Sequence, residues 1–167
     1  MHKYIAYTDG SFQQSLRNGK GAGGYASIIC DENNNIIKEI YSGFTDTTNN
    51  RMEIYAVIAT LQYFKEPVEI TIVSDSMYVV NTINQGWAEK WFKEQDYSKS
   101  NLDLWFSLLD LTYFHKVTLV WTKGHSNNIM NNRVDELCCF AARCLNIPKD
   151  EYRNYSKKDW ESLVSKH

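Results

Sequence analysis

Asp9 and Asp75 each close a run of β-branched and aromatic residues, 3–9 (KYIAYTD) and 68–74 (VEITIVS). Both sit in small polar tripeptides, Asp9-Gly10-Ser11 and Ser74-Asp75-Ser76. If the two runs are neighbouring parallel strands, both side chains leave the same edge of the sheet a few ångströms apart. Two such charges repel, and one must take up a proton unless a cation lies between them. Oxygen-only ligands, with no Cys or paired His nearby in sequence, favour a hard ion, Mg²⁺ or Mn²⁺, with water completing the octahedron. Glu53 falls in the first turns of a helical stretch, behind Asn49 as the expected N-cap. Asp135 holds the corresponding place in the last helical stretch, behind Asn131 or Asn132. Taken singly, each acid has an ordinary explanation: a carboxylate in a first helical turn complements the macrodipole, and an Asp after a strand starts a turn. Taken together, four acids at element ends suit phosphoryl transfer on two metal ions about 3.5–4 Å apart.

The elements that must bring these acids together follow from the pattern of apolar residues. Residues 3–9, 25–30 (YASIIC, entered through Gly21-Ala22-Gly23-Gly24) and 36–43 read as three strands, with the turn Asp31–Asn35 joining the last two in an antiparallel meander. From Asn49 to Lys65 the period changes: Met52, Ala56, Ala59 and Tyr63 predict a helix that Pro67 stops. A fourth strand at 68–74, reached through that helical crossover, is parallel to an earlier one. Helical stretches at 76–95 and 101–113, with Leu102, Trp105 and Leu109 in register, precede a fifth strand at 117–121. The polar loop Lys123–Asn131 leads to a helix over 132–146. The order predicts an α/β fold, a mixed five-stranded sheet flanked by helices, with ligands gathering at the carboxyl ends of the parallel strands.

With 167 residues, the chain has the length of one domain. It is 43% apolar and 23% charged, which excludes a disordered chain, and its net charge of −2 advertises no basic field for nucleic acid. A nucleic-acid partner must therefore be argued from local chemistry. No apolar run approaches the roughly 20 residues of a membrane helix, and Asp9 follows Met1 too soon for a signal peptide, so the expected compartment is cytoplasmic. Cys30, Cys138, Cys139 and Cys144 have neither zinc nor redox spacing and read as small buried hydrophobes. Cys138 falls on a stripe with Val134, Ala141 and Leu145, and Cys139 falls off it. The expected domain is 1–147, followed by an extension at 148–167 that packs on it as a short helix, begun by Ser156-Lys157-Lys158-Asp159 and carrying Trp160, Leu163 and Val164.

Four blocks resemble the signatures of ribonuclease H type 1: Thr8-Asp9-Gly10-Ser11, Thr48-Asn49-Asn50-Arg51-Met52-Glu53, Ser74-Asp75-Ser76, and Lys123-Gly124-His125 followed by Asp135. They occur in the family's order and span roughly 3–146. The resemblance implies the sheet order 3-2-1-4-5 and endonucleolytic cleavage of the RNA strand of an RNA–DNA hybrid, leaving 5′-phosphate and 3′-hydroxyl ends. It implies that Asp9, Glu53, Asp75 and Asp135 hold two Mg²⁺ ions (or Mn²⁺), Asp9 bridging both, and that His125 serves proton transfer or product departure. Distinguishing RNA from DNA requires a 2′-hydroxyl contact, for which Gly10, Ser11, Asn49 and Asn50 are candidates. Thr48 and Asn101 are candidates for a DNA-phosphate pocket, and Trp87 and Trp91 for a substrate-gripping protrusion.

The sequence departs from the family at several places. The turn Phe12–Lys20 is longer than usual and lacks proline. Asp46 stands where related enzymes use Arg, and Met77 where Gln is common. Across 86–100, Lys90, Lys93 and Lys99 are balanced by Glu89, Glu94 and Asp96, so at least two of Trp87, Trp91 and Phe92 are expected to pack against the body. With Met1 directly before the first strand the chain reads as free-standing, and a monomer is the expected state. The alternatives are a hybrid-binding module without turnover, which would be expected to lose an acid, and an integrase-type enzyme, which lacks the Lys-Gly-His loop.

Overall fold

The computed structural model describes residues 1–124 and 128–151. His125 and the expected helix of the C-terminal extension lie outside them. Strands β1 (Lys3–Gln13), β2 (Ala22–Cys30) and β3 (Ile36–Thr45) form an antiparallel meander. Helix α1 (Asn49–Gln62) crosses to β4 (Glu69–Ser74), and α2 (Met77–Asn84), α3 (Trp87–Glu94) and α4 (Leu102–Phe114) precede β5 (Lys116–Trp121) and α5 (Ile129–Cys144). The sheet order is β3-β2-β1-β4-β5, with β1–β4 and β4–β5 parallel, as expected from the sequence. Among the described residues, no helix is long and apolar enough to cross a membrane.

Several boundaries differ from the sequence expectation, each for a physical reason. β1 does not stop at Asp9: Gly10 to Gln13 go on pairing with Tyr25 to Ala22, which draws the glycine-rich segment into β2. The parallel pairing with β4 ends at Thr8–Ser74, so Asp9 is the first β1 residue beyond that ladder. The stretch 76–95 is two helices broken at Gln85–Gly86, and α1 ends at Gln62, well short of Pro67. α1 has no narrow apolar stripe. It is buried over most of its circumference between the sheet and α4, with Ala59 half-buried and Tyr63 40% exposed. Cys30 and Cys138 are buried and Cys139 is half-buried. Cys144 is exposed, because the buried face of α5 runs through Val134, Leu137, Cys138, Ala141 and Ala142.

One core lies between the sheet and α1, α2 and α4, and includes Ile54, Ile72, Trp105 and Leu108. A smaller one lies beneath α5, built on Ala26, Ile28, Val134 and Cys138. α5 packs so closely on β2 that a Cβ at Gly24 would lie 1.9 Å from the carbonyl oxygen of Cys138. Backbone cannot yield as a flexible side chain would. Gly24→Ala should therefore cost on the order of 3 kcal/mol, read as a lowered denaturant midpoint. The turn after β1 is pinned to the other end of α5: Arg17 donates through Nε to the Ala142 carbonyl (2.9 Å) and through Nη2 to that of Leu145 (2.7 Å), satisfying carbonyls that the helix end leaves open.

Candidate active site

The caps that set the two acid-bearing helices are not the expected ones. Thr48, in extended backbone (φ −136°, ψ 163°), caps α1 by accepting from the Arg51 amide, so Asn49 is the first helical residue. Asn128 caps α5, accepting from the amides of Met130 and Asn131. Glu53 and Asp135 thus lie beyond the first helical turn, and neither first turn carries an acid. The macrodipole explanation for these two residues fails.

What places Glu53 is contact with β1. A Cβ at Gly10 would lie 2.4 Å from the Glu53 amide nitrogen, so the absence of a side chain there lets α1 settle against the strand beside Asp9. The Gly10 amide also donates to Asp9 Oδ1 at 2.9 Å. Asp9 from β1, Glu53 from α1 and Asp75 from the end of β4 each offer a carboxylate oxygen within 4.8 Å of the others. Asp135 does not join that tight group. It faces Asp9 and Asp75 across the same cleft, with Asn131 and Asn132 on the α5 side.

Electrostatics report the strain of this gathering. Burial, and then the charge of Asp75, pushes the Asp9 carboxyl up to about 7. Glu53, 5% exposed, is pushed well above the usual carboxylate range by burial and then by Asp9 and Asp75. Its Oε2 is buried with no hydrogen-bond partner among the described residues. A buried acceptor left in that state costs about 1–3 kcal/mol, more for a charged group. A divalent cation offers what the protein lacks at this point: positive charge and a ligand vacancy for hard oxygen donors. The donor set therefore fits Mg²⁺ or Mn²⁺.

The other candidate residues are more dispersed. Gly10 is buried, while Ser11 is half-buried. Thr48, Asn49 and Asn50 are exposed at the start of α1. Asn101 Oδ1 accepts from Arg51 Nη1 (3.2 Å) and its Nδ2 donates to the Tyr78 hydroxyl (3.2 Å). Trp91 and Phe92 pack against the main core, and Lys99 Nζ stands 5.5 Å from the Trp91 ring centroid. Trp87 is 43% exposed. Asp46 pairs with Lys149 at 3.4 Å on the surface.

Sequence reading missed the support under α1. Arg51, 1% exposed, donates through Nε to Asp150 Oδ2 (2.8 Å) and through Nη2 to Asp103 Oδ2 (2.8 Å). Burial alone would lower the Arg51 guanidinium, but the hydrogen bonds from Asp103 and Asp150 outweigh it and leave it raised. Asp150 also accepts from the Thr47 and Tyr55 hydroxyls. Its segment is tied to β3 by Thr45, whose amide donates to the Pro148 carbonyl and whose carbonyl accepts from the Asp150 amide. An Arg two residues before Glu53 was the only local signal of this network.

An open mixed sheet of this order, with acids gathered at the carboxyl end of its central parallel strands, defines the ribonuclease H-like class of fold. Comparison with known proteins narrows this. A family model described as RNase H matches residues 1–143. The ribonuclease H of Desulforamulus reducens is 40% identical over 149 residues, covering 86% of this chain and 90% of that protein. That of Francisella tularensis subsp. novicida is 44% identical over 140 residues, covering 81% and 88%. Among solved structures, LC9-RNase H1, a type 1 RNase H with the type 2 active-site motif, superposes with a TM-score of 0.75 at 24% identity, covering 85% of this chain and 72% of that one. The chain belongs to the RNase H family.

Proposed function

We propose that the protein is an endoribonuclease that hydrolyses the RNA strand of RNA–DNA hybrids, leaving 5′-phosphate and 3′-hydroxyl ends. The observation that carries this reading is the meeting of Asp9, Glu53 and Asp75, from three separate parts of the fold, around a buried carboxylate oxygen that no donor among the described residues satisfies. Asp9, Glu53, Asp75 and Asp135 would hold two divalent ions. Bound there, the ions supply nucleophile activation and neutralise charge on the departing 3′ oxygen.

The chain's own residues do the rest. Asp9, whose carboxylate stands with those of Glu53 and Asp75, would be the least replaceable of the ligands. The rigid strand and helix that carry Asp9 and Glu53 fix their positions before substrate arrives, which is where such a site gains its rate. Because Thr48 provides the cap of α1, the exposed amides of Asn49 and Asn50 are available for a ribose 2′-hydroxyl. Gly10 and Ser11 continue the same edge, and Thr48, Asn101, Trp87 and Trp91 are further candidate contacts to the hybrid. His125, following Gly124 at the cleft, is assigned to proton transfer or product departure. His125→Ala should slow turnover by about 10²-fold while leaving hybrid affinity intact, measured as kcat and KM.

The deciding experiment incubates the protein with an RNA–DNA hybrid, a DNA duplex and an RNA duplex in Mg²⁺, followed by analysis of product ends. Cleavage confined to the RNA strand of the hybrid is expected. Binding of the hybrid without cleavage, or cleavage of the DNA duplex, would refute the proposal.

A further inference from the structure

Asp75 differs from its neighbours in the way its backbone is held. Asp9 lies within β1 and Glu53 within α1, so regular hydrogen-bond ladders fix both. Asp75 lies between the last residue of β4 and Ser76, the cap of α2, and is exposed. The end of β5 reaches across to this junction: the Thr122 amide donates to the Ser74 carbonyl at 2.9 Å, and the Trp121 indole Nε1 donates to the Asp75 carbonyl at 3.1 Å. Trp121 is 43% exposed on an edge strand, so it adds little to the core, yet its single polar atom is spent on this peptide. Three residues on, a Cβ at Gly124 would approach Asp75 Oδ2 to 3.1 Å. The segment 121–124 thus holds the Asp75 backbone and leaves room for its carboxylate.

We propose that Trp121 is a positioning residue for metal binding, keeping the Asp75 carboxylate turned towards Asp9 and Glu53. The proposal rests on reading those three acids as the metal site. The direction in which a side chain leaves the backbone is set by the peptide planes on either side of its Cα, and an indole held on the Asp75 carbonyl fixes one of those planes and with it the Cα–Cβ direction. Loss of a supporting hydrogen bond behind a ligand weakens metal binding about 10–100-fold. A solvent-exposed bond belongs at the lower end.

The test is Trp121→Phe in the full chain, which keeps a ring and removes the donor. Mn²⁺ binding to the substrate-free protein is followed through the resonance of free Mn²⁺, alongside metal-free melting and the Mg²⁺ dependence of hybrid cleavage. Mn²⁺ should bind about tenfold more weakly, and half-maximal cleavage should need about tenfold more Mg²⁺. At saturating Mg²⁺, kcat should return close to the wild-type value, with KM for the hybrid and the metal-free melting temperature unchanged. Unchanged Mn²⁺ affinity would overturn the proposal. So would a cleavage defect that Mg²⁺ does not restore, or a raised KM with an unmoved metal curve, the signature of a base-stacking residue. If Trp121→Phe fails to fold, Trp121→Leu, which also lacks the donor, serves instead with the same expectation, and unchanged Mn²⁺ affinity in that variant would equally overturn the proposal. Wild-type protein that binds no Mn²⁺ would sink the metal reading itself, whereas wild-type binding matched by Trp121→Phe sinks only the role of Trp121.

Discussion

Asp9→Asn should abolish hybrid cleavage, by at least about a thousandfold, and at the same time make the metal-free protein more stable. The activity loss follows from removing the carboxylate that Glu53 and Asp75 both face. The gain in stability follows from proton linkage. In the folded chain the Asp9 carboxyl is raised from 3.8 to about 7, first by burial and then by Asp75. Between those values the native state binds more protons than the unfolded chain, so stability is greatest below about pH 4 for this group and is lost as pH rises through 7. Glu53 shifts in the same direction and adds to the effect. Asn has no charge to bury, and its side-chain oxygen can still accept from the Gly10 amide. Melting curves of metal-free protein at pH 5 and pH 8 should show a decline for wild type and a shallower one for the variant, which melts several degrees higher at pH 8, at about 2–4 °C per kcal/mol for a chain of this size. Equal melting temperatures at pH 8, or retained cleavage, would contradict the account.

Asp150→Ala should cost about 3–5 kcal/mol, on the order of 10 °C in melting temperature. The Asp150 side chain is fully buried and that of Arg51 is 1% exposed. Removing one partner leaves a guanidinium in the interior with one of its two carboxylates gone, Asp103 and the Asn101 amide oxygen still facing it, and takes from the Thr47 and Tyr55 hydroxyls their acceptor on Asp150. The contrast with the surface is the check. Lys116, whose side chain is 71% exposed, pairs with Glu69 at 2.9 Å, and Lys116→Ala should change stability by less than about 1 kcal/mol. Similar melting temperatures for the two variants would show that the Arg51 network is not the anchor described here. Because Arg51 stands one half-turn before Glu53, Asp150→Ala should also lower cleavage at temperatures where it remains folded.

The amino-acid sequence by itself led to the element order, to the sheet order through the family resemblance, and to four candidate acids, of which Asp9, Glu53 and Asp75 meet in the fold. Asp9 and Asp75 were legible because a run of β-branched residues ends beside each, and alternation or helical spacing is a local property of the chain. The sequence also led to the expectation that at least two of Trp87, Trp91 and Phe92 pack against the body, and the fold selected Trp91 and Phe92. It misled where two local signals were of similar strength. Asn49 and Thr48 are both good caps, as are Asn128, Asn131 and Asn132, and only the packing of α1 and α5 on the sheet selected Thr48 and Asn128. Local reading likewise stopped β1 at Asp9, because continuation through Gly10 to Gln13 depends on a partner in β2.

What tertiary structure alone decided were the contacts between distant segments. Gly10, just past the expected end of the first strand, is the point where α1 touches β1. Arg51 finds its partners at positions 103 and 150, and Trp121 reaches back 46 residues to the Asp75 carbonyl. No periodicity encodes such pairs, since each depends on how helices and strands come to rest against one another. The chemistry of the site was written in residue types, whereas the means of holding it in place appeared only once the chain had folded.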